Sequence, residues 1–445
     1  MFQHTHRIVG FVYLAPTFLL IALACAADWP QWRGPNRDDV WREAGIVEKF
    51  PAAQLPIQWR VKIGPGYSGP TVAAGRVYIT DRQVEPTQIE CVHCFDATTG
   101  KSLWNYSYDC AYGGIGYTAG PRAAVTVDDG RAYSLGATGK LFCFDAADGT
   151  IVWQRDLNED FKIRMPIWGI GAAPLVDGNR LIVTIGGEHA CVVALNKADG
   201  KQLWKALDDP AQYSAPILIQ QAGQPVLVVW TAAAVVGLNP ANGSEFWREE
   251  MKPTRMPIGI ITPVTDGKRL FVSSFYDGSL MLRLTTNSSG QPAVERIWRK
   301  LGPDEQHTQS LHCVIGTPIL DGDYLYGVDS YGQLRCLDAN TGERIWEDLT
   351  AVPKARWATI HMIRHQDKVL MFNERGELIL ARLSPDGFEE ISRTRLIEPT
   401  TAQLDQRGGV CWSHPAFANG HVFARNDDEL VCASLMPDNQ TSTTQ

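Results

Sequence analysis

The sequence predicts an all-β protein, an eight-bladed β-propeller built from four-stranded antiparallel blades. Two observations predict this fold. An Asp or Asn is followed four residues later by Gly, and four residues after that by Trp, at five places in the chain. Seven tryptophans, from Trp59 to Trp346, are separated by 45, 49, 51, 43, 51 and 48 residues, a period typical of a propeller blade. The five sets are Asp96, Gly100 and Trp104; Asp145, Gly149 and Trp153; Asn196, Gly200 and Trp204; Asn239, Gly243 and Trp247; Asp338, Gly342 and Trp346.

The repeated spacing has a structural explanation. The Asp or Asn ends a third strand and accepts a backbone hydrogen bond two residues on, which forms an Asx turn. The Gly supplies a positive φ, and the Trp lies on the outer strand, where its ring fills the wedge between adjacent blades. We therefore expect these residues to build the ring rather than to bind a ligand. The structural tryptophans are Trp59, Trp104, Trp153, Trp204, Trp247, Trp298 and Trp346.

Each blade opens on an inner strand, and a proline introduces most of these strands. The runs that follow are short, rich in β-branched residues and bounded by turn residues. An eighth inner strand, near Thr359–Ile363, has no proline. The introducing prolines are Pro70, Pro121, Pro174, Pro216, Pro263, Pro318 and Pro415.

Two blades depart from the pattern, and one tryptophan has no blade before it. The fifth blade carries an insertion at 287–292 before its Trp, and the seventh has Ile391 in place of Trp. The eighth blade stops without an outer strand, whereas Trp59 lies on an outer strand with nothing preceding it. We therefore predict that Ile57–Lys62 completes the eighth blade, so that the propeller spans 57–435 and leaves only protected sheet edges.

The motif L-x-C/A-L/F-D-A-x-T/D-G-x-x-x-W resembles the tryptophan-docking motif of the PQQ-type quinoprotein propellers. The segment Trp29–Arg37, WPQWRGPNR, followed by GYSGP at Gly66–Pro70, looks like the PQQ-binding-like β-propeller repeat proteins. That group is also similar to the barrel-assembly lipoprotein BamB. The resemblance covers roughly residues 57–435 and implies the fold more specifically than any activity.

The first 27 residues differ from the rest of the chain. Arg7 precedes an apolar run that ends in small residues, as in a secretory signal peptide, so we expect export to the periplasm or cell envelope. Cys25 leaves open an alternative, a lipid anchor of the bacterial lipoprotein type. Residues 28–56 are then an N-terminal extension, and 436–445 a disordered tail. We expect deletion of Ile57–Lys62 to impair folding more than deletion of Asp28–Glu43, because only the former closes the ring.

The cysteines suggest core positions more than disulfides. Cys94, Cys143, Cys336 and Cys432 occupy the same third-strand position of different blades and are interpreted as small buried residues. In the run C-V-H-C, Cys91 is interpreted as an edge cysteine, because residues three apart on a strand face opposite sides. A disulfide between Cys91 and Cys110 stays open, and we expect no metal site.

The net charge of −8 is mixed along the chain, so the sequence offers no basic stripe for nucleic acid. We also expect no membrane span and a monomer. If the blades are architecture, function belongs to the loops and to the central channel.

The loops from each outer strand to the next inner strand share one face with the loops between second and third strands. They carry aromatic, His and Arg residues, a mixture that suits a planar or anionic ligand or a peptide. The candidate binding residues at this channel mouth are Tyr67, Tyr117, Arg122, Arg164, Trp168, Tyr213, His312, Trp357, His361, Trp412 and His414.

Three functions compete. The first is a non-catalytic scaffold that binds an envelope protein or a small ligand at the loop face; it is favoured because the sequence has no catalytic set and no expected cofactor. The second is a PQQ-dependent dehydrogenase, a quinoprotein oxidoreductase, which needs a stacked quinone, a calcium ion and a carboxylate base. The third is a hydrolase or lyase in the channel, for which no motif is present.

Overall fold

The computed structural model describes residues 28–51, 54–404 and 407–437. Eight sheets, each of four antiparallel strands, form the blades of the predicted propeller. The inner strand of each blade is short, mostly two to six residues, and the outer strand is more exposed than the strands it covers. The only helix in the described part of the chain is α1, Leu157–Phe161, a single turn capped by Asp156 between the second and third blades.

The strands follow one another in a simple order. The first strand is β1 Ile57–Lys62, which belongs to the last blade. Blade 1 contains β2 Thr71–Ala73, β3 Arg76–Gln83, β4 Ile89–Asp96 and β5 Ser102–Asp109, and blade 2 contains β6 Thr126–Asp128, β7 Arg131–Leu135, β8 Lys140–Asp145 and β9 Ile151–Asp156. Blade 3 contains β10 Leu175–Asp177, β11 Arg180–Gly187, β12 Ala190–Asn196 and β13 Gln202–Ala206, and blade 4 contains β14 Ile217–Gln221, β15 Gln224–Trp230, β16 Ala234–Leu238 and β17 Glu245–Glu250. Blade 5 contains β18 Val264–Thr265, β19 Arg269–Ser274, β20 Gly278–Thr286 and β21 Pro292–Lys300, and blade 6 contains β22 Ile319–Asp321, β23 Tyr324–Val328, β24 Leu334–Asp338 and β25 Arg344–Asp348. Blade 7 contains β26 Ile360–His365, β27 Lys368–Asn373, β28 Glu377–Ser384 and β29 Gly387–Arg395, and blade 8 contains β30 Ala416–Ala418, β31 His421–Arg425 and β32 Glu429–Ser434 together with β1.

The predicted closure of the ring is confirmed. Strand β1 pairs antiparallel with β32, so the last sheet has the order β1, β32, β31, β30. Trp59 lies opposite Cys432 in this pairing, as the other outer-strand tryptophans lie opposite their third strands. Strand β1 therefore completes the eighth blade. The other three strands of that blade, β30 to β32, come from the opposite end of the propeller sequence.

The turn predicted from the repeat is present at all five places. The Asp or Asn side chain accepts from the backbone N–H two residues on, as in the 3.1 Å bond from Thr98 N to Asp96 Oδ1. Ala147, Ala198, Ala241 and Asn340 make the equivalent bonds. The glycines that follow have φ between 70° and 76°.

All the repeat tryptophans except Trp247 contact the next blade. The Trp204 ring lies against Gly243 of the following blade, where an added Cβ would be 2.6 Å from the ring. The Trp204 Nε1 then donates to the carbonyl of Pro240 in the same turn, at 3.0 Å. The same indole-to-carbonyl bond joins Trp59 to Ala97, Trp104 to Ala146, Trp153 to Lys197, Trp298 to Ala339 and Trp346 to Ser384.

Where the repeat is degenerate, the tryptophan finds another partner or another residue replaces it. Strand β20 continues to Thr286, so the glycine turn of blade 5 comes later, at Gly290, where no ring packs against it. Trp247 Nε1 instead donates to Gln221 Oε1 of its own blade. In blade 7 the expectation that Ile391 replaces the Trp is wrong by one residue. Ser392 pairs with Leu380, and Ile391 is the bulge residue, because every outer strand carries a bulge at this point that the sequence does not reveal.

The cysteine interpretation is confirmed for the four third-strand residues. Cys94, Cys143, Cys336 and Cys432 are at most 1% exposed, and each lies directly opposite a repeat tryptophan.

The interpretation of Cys91 as an edge residue is wrong. Its side chain is 1% exposed, because the outer strand β5 covers this position and Ser107 lies opposite it. The possible disulfide is absent, since Cys91 and Cys110 are both free thiols.

The proline rule for inner strands fails once. Six of the seven prolines stand directly before an inner strand, but β6 begins at Thr126, five residues after Pro121. The loop before β6 is long, and Pro121 serves a different purpose there. Its carbonyl accepts from the backbone N–H groups of Tyr67 and Ser68, at 2.9 Å each, and so joins two neighbouring loops.

The N-terminal extension packs against the ring and buries Trp29, Trp41 and Phe50. It enters the channel at Trp29, which bridges Val72 of blade 1, and reaches the far side at Val40, which bridges Arg364 of blade 7. Its later part fills the gap left by the missing tryptophan of blade 7, where Phe50 N donates to Ser392 Oγ at 2.9 Å. The extension therefore plugs the channel and contributes Trp29, Trp41, Ile46 and Phe50 to the hydrophobic core.

Arg37 anchors this plug in the channel. Its side chain is 4% exposed, and its guanidinium donates to the backbone carbonyls of Ala173, Pro174 and Pro216 in blades 3 and 4. Burial, followed by the charge of Arg33, lowers the pKa of Arg37 to about 9, so it stays protonated at neutral pH. The plug thus holds a buried cation on carbonyl oxygens of residues that stand directly before the inner strands β10 and β14.

In the described residues, no helix has the length and apolarity needed to cross a membrane. The expected signal peptide at 1–27, the alternative lipid anchor at Cys25 and residues 438–445 of the expected tail fall outside the described residues.

Replacing Trp204 tests the docking of one blade on the next. We expect Trp204→Ala to lower the free energy of unfolding by about 3–5 kcal/mol, because it removes a buried indole and leaves a cavity. Leu203→Ala on the same strand removes a side chain that is 44% exposed and should cost less than about 1 kcal/mol. Urea unfolding followed by circular dichroism measures both, and equal costs would contradict the docking role.

Candidate functional site

The loops before the inner strands converge on a chamber at the channel mouth. Seventeen residues surround a space of about 930 Å³, part of which is open to solvent. We call this space the aromatic chamber. Its lining consists of Trp32, Tyr67, Tyr117, Arg122, Ala124, Trp168, Gly171, Ala173, Tyr213, Ala215, Ile260, Val314, Ile315, Trp357, His361, Trp412 and His414.

Nine of the eleven residues predicted at the channel mouth lie in this lining. The two others do not. Arg164 turns outward and donates to the carbonyl of Asp208. His312 is 1% exposed, and its Nδ1 bonds the carbonyl of Phe275 at 2.8 Å, so it belongs to the packing beneath the loops. Position in a loop indicates which face a residue is on, but it does not fix where the side chain points.

Tyr117 stands at the centre of the chamber mouth. Its ring centroid lies 5.4 Å from that of Trp168, 5.9 Å from Trp357 and 6.2 Å from Trp412. These three indoles come from loops before blades 3, 7 and 8, so Tyr117 reaches across the mouth. Tyr117 and Trp357 both have positive φ, 53° and 65°, which costs side chains of this size energy unless the fold requires it.

One wall of the chamber is a stacked pair. The rings of Trp168 and Tyr213 lie 5.1 Å apart at 27°, and Trp168 N donates to the Tyr213 hydroxyl at 3.2 Å. Burial raises the pKa of Tyr213 to about 12, so its hydroxyl is neutral and can still donate a hydrogen bond into the chamber. The pair offers a flat face with a polar edge.

The floor is Trp32, from the plug. Its Nε1 donates to Thr262 Oγ1 at 2.7 Å, and its ring meets His414 edge to face at 4.4 Å. Trp32 is missing from the residues expected at the site because the extension was placed outside the propeller. The available signal was the pair of tryptophans in WPQW, which is unusual in a segment so polar.

Two neutral histidines flank the floor. His361 Nε2 lies 2.9 Å from the carbonyl of Trp412 and donates to it. Burial lowers the pKa of His361 to about 4. The pKa of His414 is lowered to about 3, first by burial and then by the repulsion that a protonated His361 would exert. Gly69 makes the packing possible, since a Cβ there would lie 2.3 Å from the His414 carbonyl oxygen. His414 Nε2 is buried without a hydrogen-bond partner.

Arg122 brings a positive charge to the rim. Its guanidinium donates to the carbonyls of Gly120, Gly116 and Tyr117 and lies 5.0 Å from the centroid of the Tyr67 ring. No carboxylate among the described residues forms an ion pair with it. The charge is therefore held in place by neutral groups and is available to an anionic ligand.

A charged pair braces the opposite rim. Arg356 lies 4.5 Å from the centroid of the Trp357 ring and forms a bidentate ion pair with Glu305, at 2.8 and 3.1 Å. The Glu305 carboxylate also accepts from the Tyr331 hydroxyl. These contacts fix the Trp357 plane, while its Nε1 is buried without a hydrogen-bond partner and can donate to a bound group.

The described lining does not fit a calcium-bound quinone. Calcium takes six to eight oxygen ligands, most often carboxylates and amides. The lining contains no Asp, Glu, Asn or Gln, and its only side-chain oxygens are the hydroxyls of Tyr67, Tyr117 and Tyr213. A carboxylate base, and a nucleophile beside either His, are missing from this lining as well. The chamber is suited to holding apolar and aromatic groups.

A family model described as outer membrane protein assembly factor BamB matches residues 88–348 and 312–443. The protein of that name from Shewanella oneidensis is 28% identical over 229 residues, 51% of this chain and 56% of its own length. The chain thus spans about half the length of the curated relatives it matches.

Solved structures show the same fold at low identity. The crystal structure of BamB from Moraxella catarrhalis covers 84% of this chain and 98% of its own, with a TM-score of 0.56 and 15% identity. Quinohemoprotein alcohol dehydrogenase from Comamonas testosteroni covers 93% of this chain and 82% of its own, with a TM-score of 0.60 and 13% identity.

The two buried histidines, His361 and His414, should make the stability of the folded protein depend on pH. Their pKa values in the folded protein lie below the unfolded value of about 6.5, so the unfolded state binds more protons at acid pH. Stability from His361 is therefore complete above pH 6.5 and is lost as pH falls toward about 4, by on the order of 3 kcal/mol.

The variant His361→Gln keeps an N–H donor and cannot be protonated. We expect its free energy of unfolding, measured with urea between pH 7 and 4, to fall less steeply than that of the natural protein. His307→Gln, at a side chain 73% exposed, is the control and should leave the slope unchanged. Identical slopes for all three proteins would contradict the account of His361.

Proposed function

The chain belongs to the family described as outer membrane protein assembly factor BamB, and from that premise we propose that it is an exported, non-catalytic scaffold. It binds another envelope protein by holding an apolar segment of that partner in the aromatic chamber. The observation that carries the proposal is the chamber itself, which combines four tryptophans, three tyrosines and one arginine without an ion-pair partner among the described residues.

The composition of the chamber supports protein binding. Tryptophan, tyrosine and arginine are the residue types that contribute most to protein interfaces, especially where they surround a pocket from which water is excluded. The chamber is open to solvent on one side, so an apolar side chain of a partner can enter it from the channel mouth. Burying one Leu or Phe in such a place is worth about 1.5–3 kcal/mol.

The polar groups of the chamber indicate what else the partner carries. Arg122 favours a carboxylate beside the apolar anchor, since its own contacts are carbonyls. Trp357 Nε1 is a buried donor and favours a backbone carbonyl. The partner segment that fits best is therefore an aromatic or large aliphatic residue with an Asp, a Glu or a chain terminus next to it.

The proposed location is the cell envelope. Residues 1–27 have the composition of a secretory signal, and the relatives that match carry the name of an outer membrane assembly factor. Whether Cys25 holds a lipid or is removed with the signal distinguishes a membrane-attached scaffold from a free one. The BamB name supplies the class of partner, an envelope protein, and not its identity.

A quinoprotein dehydrogenase is the other function that the fold suggests, since the Comamonas enzyme has the same architecture. The chamber gives it little support because the described lining has neither oxygen ligands for calcium nor a carboxylate base. Uptake of pyrroloquinoline quinone with Ca²⁺, together with dye-linked oxidation of alcohols or sugars, would replace the scaffold proposal.

Capture of envelope proteins tests the scaffold. We expect the immobilised full chain to retain a specific partner from solubilised envelopes. Trp168→Ala should weaken retention by roughly 10-fold to 30-fold, as for a central interface aromatic. Ala215→Phe, which fills the chamber from a residue 4% exposed, should do the same without altering the outer surface.

Ile167→Ala is the matched control. Ile167 precedes Trp168 on the same loop, is 45% exposed and lies outside the chamber, so its loss should leave retention unchanged. Thermal melting of each variant separates loss of binding from loss of fold. Equal retention by all variants would move the binding surface away from the chamber and contradict the proposal.

A further inference from the structure

A second cluster of chemically active side chains lies in blade 1, away from the aromatic chamber. Asp81 of β3 and Cys91 of β4 are directly opposite each other across the pair of strands. His93 is two residues beyond Cys91 and so shares its face of the sheet. One ligand atom of each residue lies within 4.8 Å of the other two.

The cluster is buried and is not satisfied by hydrogen bonds alone. Asp81 and Cys91 are each 1% exposed, and Asp81 Oδ1 is buried with no hydrogen-bond partner. His93 Nε2 lies 3.0 Å from Asp81 Oδ2, but the contact does not have the alignment of a hydrogen bond. A buried carboxylate oxygen without a partner costs free energy, and a cation at this point would remove the cost.

We propose that Asp81, Cys91 and His93 of blade 1 bind one zinc ion beside the place where the ring closes. Thiolate, imidazole and carboxylate are the three ligand types that zinc takes, at about 2.0–2.3 Å. Ligands at those bond lengths lie about 3–4 Å apart, so side-chain rotations of about 1 Å bring the set together. The sulfur ligand disfavours Ca²⁺ and Mg²⁺.

A neighbouring hydroxyl supports the sulfur atom as a ligand. Ser107 Oγ donates to Cys91 Sγ at 3.3 Å, which favours the thiolate. Zinc binding takes the neutral imidazole of His93 and releases the thiol proton of Cys91 to solvent, while a water molecule takes the fourth position.

The position of the site suggests its role. Asp81 Oδ2 accepts from Gly64 N at 2.6 Å, and Gly64 lies two residues after the end of the closing strand β1 at Lys62. His93 is 19% exposed, so the ion can enter from its side of the cluster. A zinc ion would fix the Asp81 carboxylate and with it the connection from blade 8 into blade 1. This role is independent of what the aromatic chamber binds.

Metal titration tests the site directly. The full chain, freed of metal by dialysis against a chelator, should bind one equivalent of Zn²⁺ in competition with a chromophoric chelator. Co²⁺ in place of Zn²⁺ should give the near-ultraviolet absorption band of a thiolate-bound ion. The melting temperature of the natural protein should rise with added Zn²⁺.

Two ligand variants and one control decide the outcome. Cys91→Ser should abolish the cobalt band, and His93→Gln, at a partly exposed position, should weaken Zn²⁺ binding at least 100-fold and remove the thermal shift. Cys110→Ser changes a buried thiol outside the cluster and should bind as the natural protein does. Absence of a one-to-one site, or a thiolate band that survives in Cys91→Ser, would overturn the proposal.

Discussion

The propeller depends on one contact, the stacking of a tryptophan on the glycine turn of the next blade, which recurs at Gly100, Gly149, Gly200, Gly243 and Gly342. The turn must carry a glycine, since a side chain at Gly243 would meet the Trp204 ring at 2.6 Å. The indole N–H then uses a carbonyl that the Asx turn leaves exposed, so one residue satisfies packing and hydrogen bonding together. Because each blade is held by its neighbour, the ring is stable only when it is closed, and closure makes the ends of the chain meet in blade 8.

The aromatic chamber is a consequence of closure combined with the plug. A closed ring of eight blades leaves a channel that the inner strands alone do not fill. The extension supplies the missing material, with Arg37 on the carbonyls of the inner strands and Trp32 as the chamber floor. The same segment continues to Phe50, which covers the blade that lacks a tryptophan. The depth and apolar character of the chamber are thus set by residues far from it in sequence.

What the sequence could predict was local or periodic. The Asx turn, the glycine and the tryptophan recur at fixed spacing, so fold, blade count and closure followed from them. Ile391 and Pro121 were misassigned because a bulge and a long loop shift the register without changing the residue pattern. The sequence does not predict that Trp32 lies at the chamber or that Asp81 lies beside Cys91. Neither contact follows from the spacing of the repeat. Arg164 and His312 lie in the loops that the sequence predicts, but their side chains point away from the chamber.

Binding of an envelope protein through the channel mouth can be tested by photo-crosslinking in living cells. A photoreactive phenylalanine analogue is placed at Tyr117 in the mouth or at Ile345, a side chain 45% exposed on the outer rim. We expect one discrete crosslinked envelope protein from position 117 and none from position 345. The same partner from position 345 alone, or no product from position 117, would contradict it.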